Sequence, residues 1–530
     1  MLPTSKHQRI RGVRIASLLT AVAQSYGDQR LWARLCGAGV FLVSVLYVVF
    51  LFPSAEFPWL NKDDASQFLT LAINIAEYGR YSIDSVVGAE YRLHATWPPV
   101  FPLYLAAVIG LFGYSWIAIK LAMVVAGIAT LAVLWRLLGS QPEGKLAVLL
   151  TALSPYFFLF SHHSMAEVPY MLLVFSALTA LNTSQRASGF AIAGVLAAAA
   201  FLTRGYAAVL FPVGLFFIFF FKKELSRRER IVHCLCYGAA PAAAIIGWAV
   251  YTRHAFSAGL VDEFSMTYGS GTQLLSGLFR SPIDYAKRFY WSESRYVTFL
   301  ILPISEPLRD KSQWWSFAVA LPLIFLIFTG WMRSWRNHAC LTLWFTANVL
   351  MLAAPSPSLR YWVPAMPILL FYLLIGARFL LTMHWRNRMA WLFFAGCLLL
   401  VSLSSFVQHL TSPDHLRFYD KYGKNSRDIM VWASKSLPED AFIYSEASAD
   451  VFSIARRRSA AIRVTETGEP LLADEQGSSP YLLCPASSLA NAHYPATYAK
   501  CNEWLKHWGF EVVKQEGDVV MYHLIPRAQP

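Results

Sequence analysis

Three acidic residues stand out from the apolar stretches of this 530-residue chain. Asp63 and Asp64 are adjacent and follow the first long apolar segment, while Glu167 stands between two later ones. A carboxylate at the edge of a membrane is costly unless it serves a function. An aspartate at the start of a helix can accept a proton from a hydroxyl, so Asp63 and Asp64 are candidates for a general base. We expect chemistry on a lipid-borne substrate, with Glu167 as the third candidate catalytic residue.

Each acidic residue also has a structural alternative. The apolar spacing after Asp64 predicts a helix, and one of the two aspartates could cap it. Ser164 and Glu167 have the spacing of a capping box at the start of the next helix. His163 precedes Glu167 and is a candidate for substrate contact, but its neighbour His162 would point to a different side of a helix. A metal site built on this histidine pair is therefore not expected.

Two arginines come at the ends of apolar segments on the same predicted side of the membrane as the carboxylates. Arg204 ends one segment and Arg360 precedes another, directly before Tyr361. Either arginine could simply extend to lipid headgroups. Arginine also donates paired hydrogen bonds to phosphate oxygens, and the Tyr361 hydroxyl could add a further donor. These three residues are therefore predicted to bind a phosphate-bearing substrate.

The composition is that of a polytopic membrane protein. Hydrophobic residues make up 56% of the chain and charged residues 15%, and the mean hydropathy is +0.42. The net charge is +13, but the Lys and Arg residues fall mostly in short loops between apolar segments. That distribution sets orientation in the membrane and does not indicate a nucleic-acid partner.

The charge distribution also predicts a topology. An apolar run at 100–113 is too short to span, so it is predicted to be an interfacial helix. About 11 transmembrane helices then remain, and the basic loop 222–230 lies in the cytoplasm with residues 1–30, an amphipathic N-terminus. Two loops, 53–114 and 252–313, lie on the outer face. The predicted fold class is an all-α polytopic membrane domain (31–408) followed by a small soluble α/β domain (409–530) outside the cytoplasm.

The tail contains two of the seven cysteines, Cys484 and Cys501, which could form a disulfide in an oxidising compartment. No Walker-type loop, dinucleotide fingerprint or His/Cys metal spacing occurs in the sequence. We therefore expect no cofactor and no metal, and nothing indicates an ATP-driven pump.

The arrangement resembles the GT-C membrane glycosyltransferases, most nearly the protein O-mannosyltransferases and the lipid A aminoarabinose transferases. The resemblance rests on the acidic pair that opens a juxtamembrane helix and on a step at Pro98 and Pro99 into an interfacial helix. It rests also on Glu167 after a Ser-Pro-containing span, on residues 202–205 (Leu-Thr-Arg-Gly) and on the Arg-Tyr pair at 360–361. The acidic pair is Asp-Asp where the family has Asp-Glu, which leaves open which aspartate is the base. Glu167 stands where relatives often have Asp.

The resemblance implies an integral-membrane glycosyltransferase of the bacterial inner membrane. It would move a sugar from a polyprenyl-phosphate donor to a hydroxyl of an acceptor lipid, glycan or protein on the periplasmic face, with inversion. Asp63, Asp64 and Glu167 would be catalytic. The substrate-binding residues would be Arg204, Arg360, Tyr361 and His163.

Two other functions remain open. A lipid-linked sugar flippase or transporter would be expected to show broken mid-membrane helices and repeat symmetry, and the sequence indicates neither. A polysaccharide ligase or polymerase that uses a diphosphate-linked donor would suit the Arg and His residues of the loop 252–313. The acidic pair in the first outer loop favours the glycosyltransferase over both.

Overall fold

The structure of the protein, a computed structural model, consists of a helical part followed by a small α/β part. The residues that it describes are 29–51, 64–83, 92–261, 301, 313–352, 359–385, 388–411, 421–445, 448–460, 462, 480–485, 495–517 and 519–525.

The helical part extends from Gln29 to Thr411. Its described α-helices are α1 (Gln29–Val49), α2 (Asp64–Tyr78), α3 (Val100–Phe112), α4 (Trp116–Leu138), α5 (Pro142–Ala152), α6 (Pro155–Ser161), α7 (Glu167–Thr183), α8 (Ala187–Phe201), α9 (Leu210–Phe221), α10 (Arg227–Ser257), α11 (Gln313–Ser334), α12 (Ala339–Leu352), α13 (Leu359–Trp362), α14 (Met366–Trp385) and α15 (Arg388–Thr411). Short 3₁₀ turns at Gly205–Val209 and Val363–Ala365 lead into α9 and α14.

Several of these helices are long and apolar enough to cross a bilayer. Within the described residues, five segments of at least 20 residues qualify, and α5 with α6 would add a sixth if the pair, bent by 62°, acts as one span. Further apolar helices are shorter. The chain is therefore a multi-pass membrane protein, as the sequence predicts. The count of 11 transmembrane helices is not confirmed and stays a prediction.

Small residues allow the closest helix crossings. Gly330 of α11 and Gly376 of α14 meet at one of them. A methyl group on Gly330 would lie 1.9 Å from the carbonyl oxygen of Tyr372, and one on Gly376 would lie 1.9 Å from that of Leu326. Such close approach gains van der Waals contact where water supplies no driving force between helices.

Helices α2 and α3 form a second apolar cluster beside the start of α4. The rings of Phe68 (α2) and Phe101 (α3) pack edge to face, with centroids 5.0 Å apart. The backbone N–H of Val100 donates a hydrogen bond of 2.8 Å to the carbonyl of Leu202, just after α8. This contact joins the first residue of α3 to the chain that follows α8.

The tail folds as the α/β domain that the sequence predicts. Its elements are α16 (Lys421–Ser436), β1 (Phe442–Tyr444), α17 (Ser448–Ala455), β2 (Arg458–Ala460), β3 (Pro480–Pro485), α18 (Pro495–His507), β4 (Gly509–Glu516) and β5 (Val519–Ile525). The sheet order is β2-β1-β3-β5-β4, with β1 parallel to β2 and β3, and β5 antiparallel to β3 and β4. Strand β2 was not predicted, because its residues, Arg-Ser-Ala, lack the β-branched and aromatic side chains that mark a strand. A disulfide joins Cys484 to Cys501, with Cα atoms 6.2 Å apart.

The tail packs directly onto α2. Phe452 of α17 is buried in the apolar cluster of α2 and α3. Arg456, just beyond α17, contacts both carboxylate oxygens of Glu77 at 2.5 and 2.6 Å. Its guanidinium also lies 4.8 Å from the ring centroid of Tyr114. The α/β domain therefore contacts the C-terminal end of the helix whose first residue is Asp64.

Candidate active site

Four charged side chains from distant parts of the chain form one connected cluster. Nη1 of Arg204 lies 3.4 Å from Oδ2 of Asp64, and its Nη2 lies 2.6 Å from Oε1 of Glu167. Nη2 of Arg360 lies 3.0 Å from the same Asp64 oxygen. Two guanidinium groups and two carboxylates thus balance in formal charge. Buried charges are expected to be paired in this way.

Every member of this cluster lies at the end of a helix or within a short turn. Asp64 is the first residue of α2 and Glu167 the first of α7. Arg204 lies between α8 and the following 3₁₀ turn, with an extended backbone (φ −145°, ψ 119°). Arg360 is in the four-residue helix α13. Breaks between helices bring polar groups together here, while the apolar helix bodies pack elsewhere.

The structure contradicts the capping-box alternative for Glu167. The N-cap of α7 is Ala166, which makes no side-chain cap, and the Ser164 hydroxyl has no hydrogen-bond partner within the described part of the chain. Glu167 is fully buried and is held by Arg204 instead. Its side chain therefore makes no capping hydrogen bond in the described structure.

Aromatic rings surround the Arg204 guanidinium. Its central carbon lies 5.3 Å from the ring centroid of Phe68, 5.4 Å from that of Trp97 and 5.9 Å from that of Tyr361. The indole N–H of Trp97 donates a 3.0 Å hydrogen bond to Oε1 of Gln67, which fixes that ring. Rings at these distances stabilise a cation and exclude water from its faces. Arg204 itself is only 3% exposed.

Tyr361 links the two arginines. Its hydroxyl accepts a hydrogen bond of 3.0 Å from Arg360, whose guanidinium lies 4.9 Å from the same ring. On its other side the Tyr361 ring meets that of Tyr206, with centroids 6.1 Å apart. Tyr206 in turn packs edge to face against Tyr170 at 4.7 Å. A row of three tyrosines therefore lies against the charged cluster.

Several buried polar atoms of this site have no hydrogen-bond partner among the residues that the structure describes. They are Oε2 of Glu167, Nε of Arg204 and the hydroxyls of Tyr170 and Tyr206. Buried polar groups are nearly always satisfied, so a group of exceptions at one place needs an explanation.

The structure thus brings together five of the seven residues singled out from the sequence. The fifth is Tyr361, beside the four charged groups. Asp63 lies outside the described residues. His163 has a different set of neighbours: its buried position, and then the charges of Lys120, His162 and His409, hold the pKa of its imidazole well below the usual value. His163 is therefore neutral near pH 7 and carries no charge for a phosphate.

Sequence reasoning singled out Tyr361 but missed the other aromatic residues of the site. Tyr170 follows Glu167 by three residues in α7, and Tyr206 follows Arg204 by two. The spacing of three residues on a helix was a usable signal, because such side chains share a face. Trp97 and Phe68 had no comparable local signal. Within the described residues no three His, Cys, Asp or Glu side chains are grouped as metal ligands would be.

Comparisons with known proteins were made for sequence and for structure. The family model of the dolichyl-phosphate-mannose-protein mannosyltransferases matches residues 96–248, a stretch that contains Glu167 and Arg204. A comparison with curated protein sequences gives no significant match. The crystal structure of ArnT from Cupriavidus metallidurans bound to undecaprenyl phosphate is similar to this chain at a TM-score of 0.57 and 14% identity. The alignment covers 93% of this chain and 99% of ArnT.

The chain shares the fold of GT-C glycosyltransferases. A second similar structure is the archaeal oligosaccharyltransferase AglB from Archaeoglobus fulgidus, in complex with an inhibitory peptide and a dolichol-phosphate. Its TM-score is 0.52 at 13% identity, over 93% of this chain and 75% of AglB. The GT-C resemblance found in the sequence is therefore confirmed at the level of the fold.

Proposed function

We propose that this protein transfers a sugar from a polyprenyl-phosphate donor to an acceptor hydroxyl, with inversion at the anomeric carbon. The main support is the meeting of four charged side chains at helix ends and in short turns: Arg204, Arg360, Asp64 and Glu167. Undecaprenyl phosphate and dolichol-phosphate are bound in the two similar structures, which agrees with a donor of this class.

The two arginines suit the leaving group of this reaction. The acceptor oxygen attacks the anomeric carbon while the bond from that carbon to the phosphate oxygen breaks. The electron pair leaves with the polyprenyl phosphate, whose negative charge increases. Preorganised guanidinium groups in a site that excludes water stabilise such a developing charge. Phosphate is a good leaving group, so no general acid is needed.

The contacts of Asp64 favour its neighbour as the base. One oxygen of Asp64 is shared between Arg204 and Arg360, so this carboxylate is already engaged by two guanidinium groups. We assign Asp64 to holding the two arginines in place. The acceptor proton then goes to Asp63, which precedes α2 directly in the sequence. Glu167, held by Arg204, orients a substrate.

We place this site on the periplasmic face of a bacterial inner membrane, with the N-terminus in the cytoplasm. Two features support the orientation. The basic loop 222–230 would then lie inside, as the positive-inside rule favours. A disulfide such as the one between Cys484 and Cys501 persists in an oxidising compartment, which supports a position of the α/β domain outside the cytoplasm.

The test uses the purified protein in lipid nanodiscs with a panel of polyprenyl-phosphate-linked sugars. The measurement is the release of polyprenyl phosphate and the transfer of sugar. Loss of a general base is worth about 10²- to 10⁴-fold, so Asp63→Asn should lower kcat by that amount. Asp64→Asn is the matched control: it removes one charge at the next position and should mainly raise KM for the donor.

Three outcomes would contradict parts of this proposal. Equal activity of wild type and both variants would remove the carboxylate base. A large loss of kcat in Asp64→Asn alone would exchange the two roles. Movement of the intact donor across a vesicle membrane without release of polyprenyl phosphate would identify a flippase, and activity restricted to diphosphate-linked donors would identify a ligase or polymerase.

A further inference from the structure

Two phenol groups beside the charged cluster are buried without a partner in the described structure. Tyr170 is completely buried, and the hydroxyl oxygen of Tyr206 is inaccessible to solvent although part of its ring is not. Other buried tyrosines of this protein are satisfied: the Tyr237 hydroxyl donates a 2.6 Å hydrogen bond to the carbonyl of Leu210. An unmade hydrogen bond at a buried hydroxyl destabilises the fold. Two of them side by side therefore indicate a role in binding.

The two phenols and a carboxylate oxygen belong to one surface. Tyr170 lies three residues after Glu167 and on the same face of α7. The rings of Tyr170 and Tyr206 are in edge-to-face contact at 4.7 Å. Arg204 and Glu167 both act electrostatically on the Tyr206 phenol. Oε2 of Glu167, the oxygen not used by Arg204, has no partner in the described part of the chain.

Donor and acceptor chemistry shows what these atoms can bind. A phosphodiester offers only acceptors at neutral pH, and an ionised carboxylate oxygen only accepts. Oε2 of Glu167 therefore cannot face the phosphate and must face a group that donates. A phenol both donates and accepts, as does a sugar hydroxyl. Together these three groups are complementary to hydroxyls and not to a phosphate.

Covalent attachment brings the sugar of the donor to this surface. In the proposed function Arg204 and Arg360 bind the phosphate, and the sugar is bonded directly to it. Arg204 also holds Glu167, at 2.6 Å. A sugar bonded to a phosphate at Arg204 would therefore lie beside Glu167 and the two tyrosines.

We propose that the Tyr170 and Tyr206 hydroxyls and Oε2 of Glu167 bind the hydroxyls of the donor sugar, and that this sugar is uncharged. The inference rests on the proposed function and adds the sugar subsite to it. The negative charge of Glu167 is already balanced by Arg204, so an ammonium group is not needed to neutralise it. Oε2 accepts one sugar hydroxyl, and the phenols donate to, or accept from, the next ones.

The test compares Tyr170→Phe, Tyr206→Phe and the double variant with Tyr237→Phe as the matched control. Each single variant removes one buried hydroxyl. The probes are polyprenyl phosphates that carry a neutral hexose, its single-deoxy analogues or the corresponding amino sugar. Tyr170→Phe and Tyr206→Phe should each lower kcat/KM for the hexose donor by about three- to tenfold, the loss typical of one neutral hydrogen bond. The preferred donor should be the neutral hexose.

The deoxy donors provide a sharper comparison. For the analogue that lacks the hydroxyl bound by Tyr206, wild type and Tyr206→Phe should have the same kcat/KM, because the interaction is already absent. Thermal unfolding provides the second measurement. Tyr170→Phe and Tyr206→Phe remove an unsatisfied hydroxyl and should keep or raise the melting temperature. Tyr237→Phe loses a satisfied hydrogen bond and should lower it, with KM unchanged.

The outcomes separate the subsite from the reaction. If wild type releases polyprenyl phosphate but both tyrosine variants keep wild-type kcat/KM with every donor, the sugar subsite is refuted and the proposed function stands. If Tyr170→Phe and Tyr206→Phe lower both the activity and the melting temperature, the two hydroxyls are structural, and this result would also refute the sugar subsite. A clear preference for the amino sugar would refute the uncharged sugar. If wild type turns over no polyprenyl-phosphate donor, both proposals fail.

Discussion

The buried contact between Arg204 and Glu167 leads to a quantitative prediction about the free energy of unfolding. Both side chains are buried, with 3% and 0% exposed, and the two atoms in contact are 2.6 Å apart. In Arg204→Met the carboxylate of Glu167 would stay buried without its counter-ion. Loss of one partner from a buried pair costs about 3–5 kcal/mol of unfolding free energy. Glu167→Gln should cost less, about 1–3 kcal/mol, because Arg204 keeps Asp64 at 3.4 Å.

The double variant separates the pair from its surroundings. Replacing both partners leaves no unpaired charge, and such replacements are often close to neutral. Arg204→Met combined with Glu167→Gln should therefore be less destabilised than the sum of the single variants, with a coupling energy on the order of 2–3 kcal/mol. A control cycle uses Lys506→Met and Glu503→Gln. This pair lies at the surface, with 65% and 37% of the side chains exposed, and its coupling should be below about 0.5 kcal/mol.

The assay is reversible unfolding in mixed micelles, titrated with a denaturing detergent and followed by tryptophan fluorescence. Additive single effects, within about 0.5 kcal/mol, would mean that the two charges do not depend on each other. That result would refute the buried cluster and, with it, the reasoning on the leaving group.

Three further predictions concern the parts around the site. Arg456→Ala and Glu77→Gln should each lower the unfolding free energy by about 1 kcal/mol, because the ion pair between Arg456 and Glu77 is only partly buried. Arg456→Gly should be less destabilising than Arg456→Ala, because residue 456 has φ = 53°. Chemical unfolding measures all three variants. The disulfide closes a loop of 17 residues, so Cys484→Ser should lower the unfolding free energy by about 3 kcal/mol. Cys501 is 1% exposed, so it should react with a maleimide only after reduction and unfolding, which gel mobility detects. Because the pKa of His163 is lowered in the folded protein, only the unfolded chain binds a proton at this imidazole readily below about pH 6.5. The contribution of His163 to the unfolding free energy should therefore be constant above that pH and decrease below it. His163→Gln should reduce this decrease in a pH series, and an unchanged slope would contradict a buried neutral imidazole.

Local pattern was sufficient for much of the fold. Continuous apolar segments at 115–138 and 390–408 predict membrane helices, and α4 and α15 begin and end within about three residues of those bounds. In the tail, residue spacing predicts a helix over 426–436, a helical turn near 449–456, a helix near 497–508 and strands at 441–445, 481–484, 510–513 and 519–523. They correspond to α16, α17, α18, β1, β3, β4 and β5. These features depend on a few neighbouring residues, so the sequence alone contains the information. The number of spans depends on which short helices cross, and local pattern does not decide that.

The site shows where local information ends. Charge at the edges of apolar segments was enough to single out Asp64, Glu167, Arg204 and Arg360. It could not decide between a helix cap and an ion pair for Glu167, because both need the same residue at the same helix position. The partner that decides it, Arg204, is 37 residues away in the sequence. Only the packing of α7 against α8 brings the two together.

The sequence by itself therefore determined that this is a membrane protein, where its helices end and which charged residues lie at those ends. Hydropathy and charge are properties of each segment, so they can be read without the fold. The tertiary structure decided that one oxygen of Asp64 holds two arginines, that Tyr170 and Tyr206 lie beside them, and that the tail packs on α2 through Phe452. These contacts join residues far apart in the chain. They form only when the long-range packing of the helices brings their ends together, and no pattern of neighbouring residues predicts that packing.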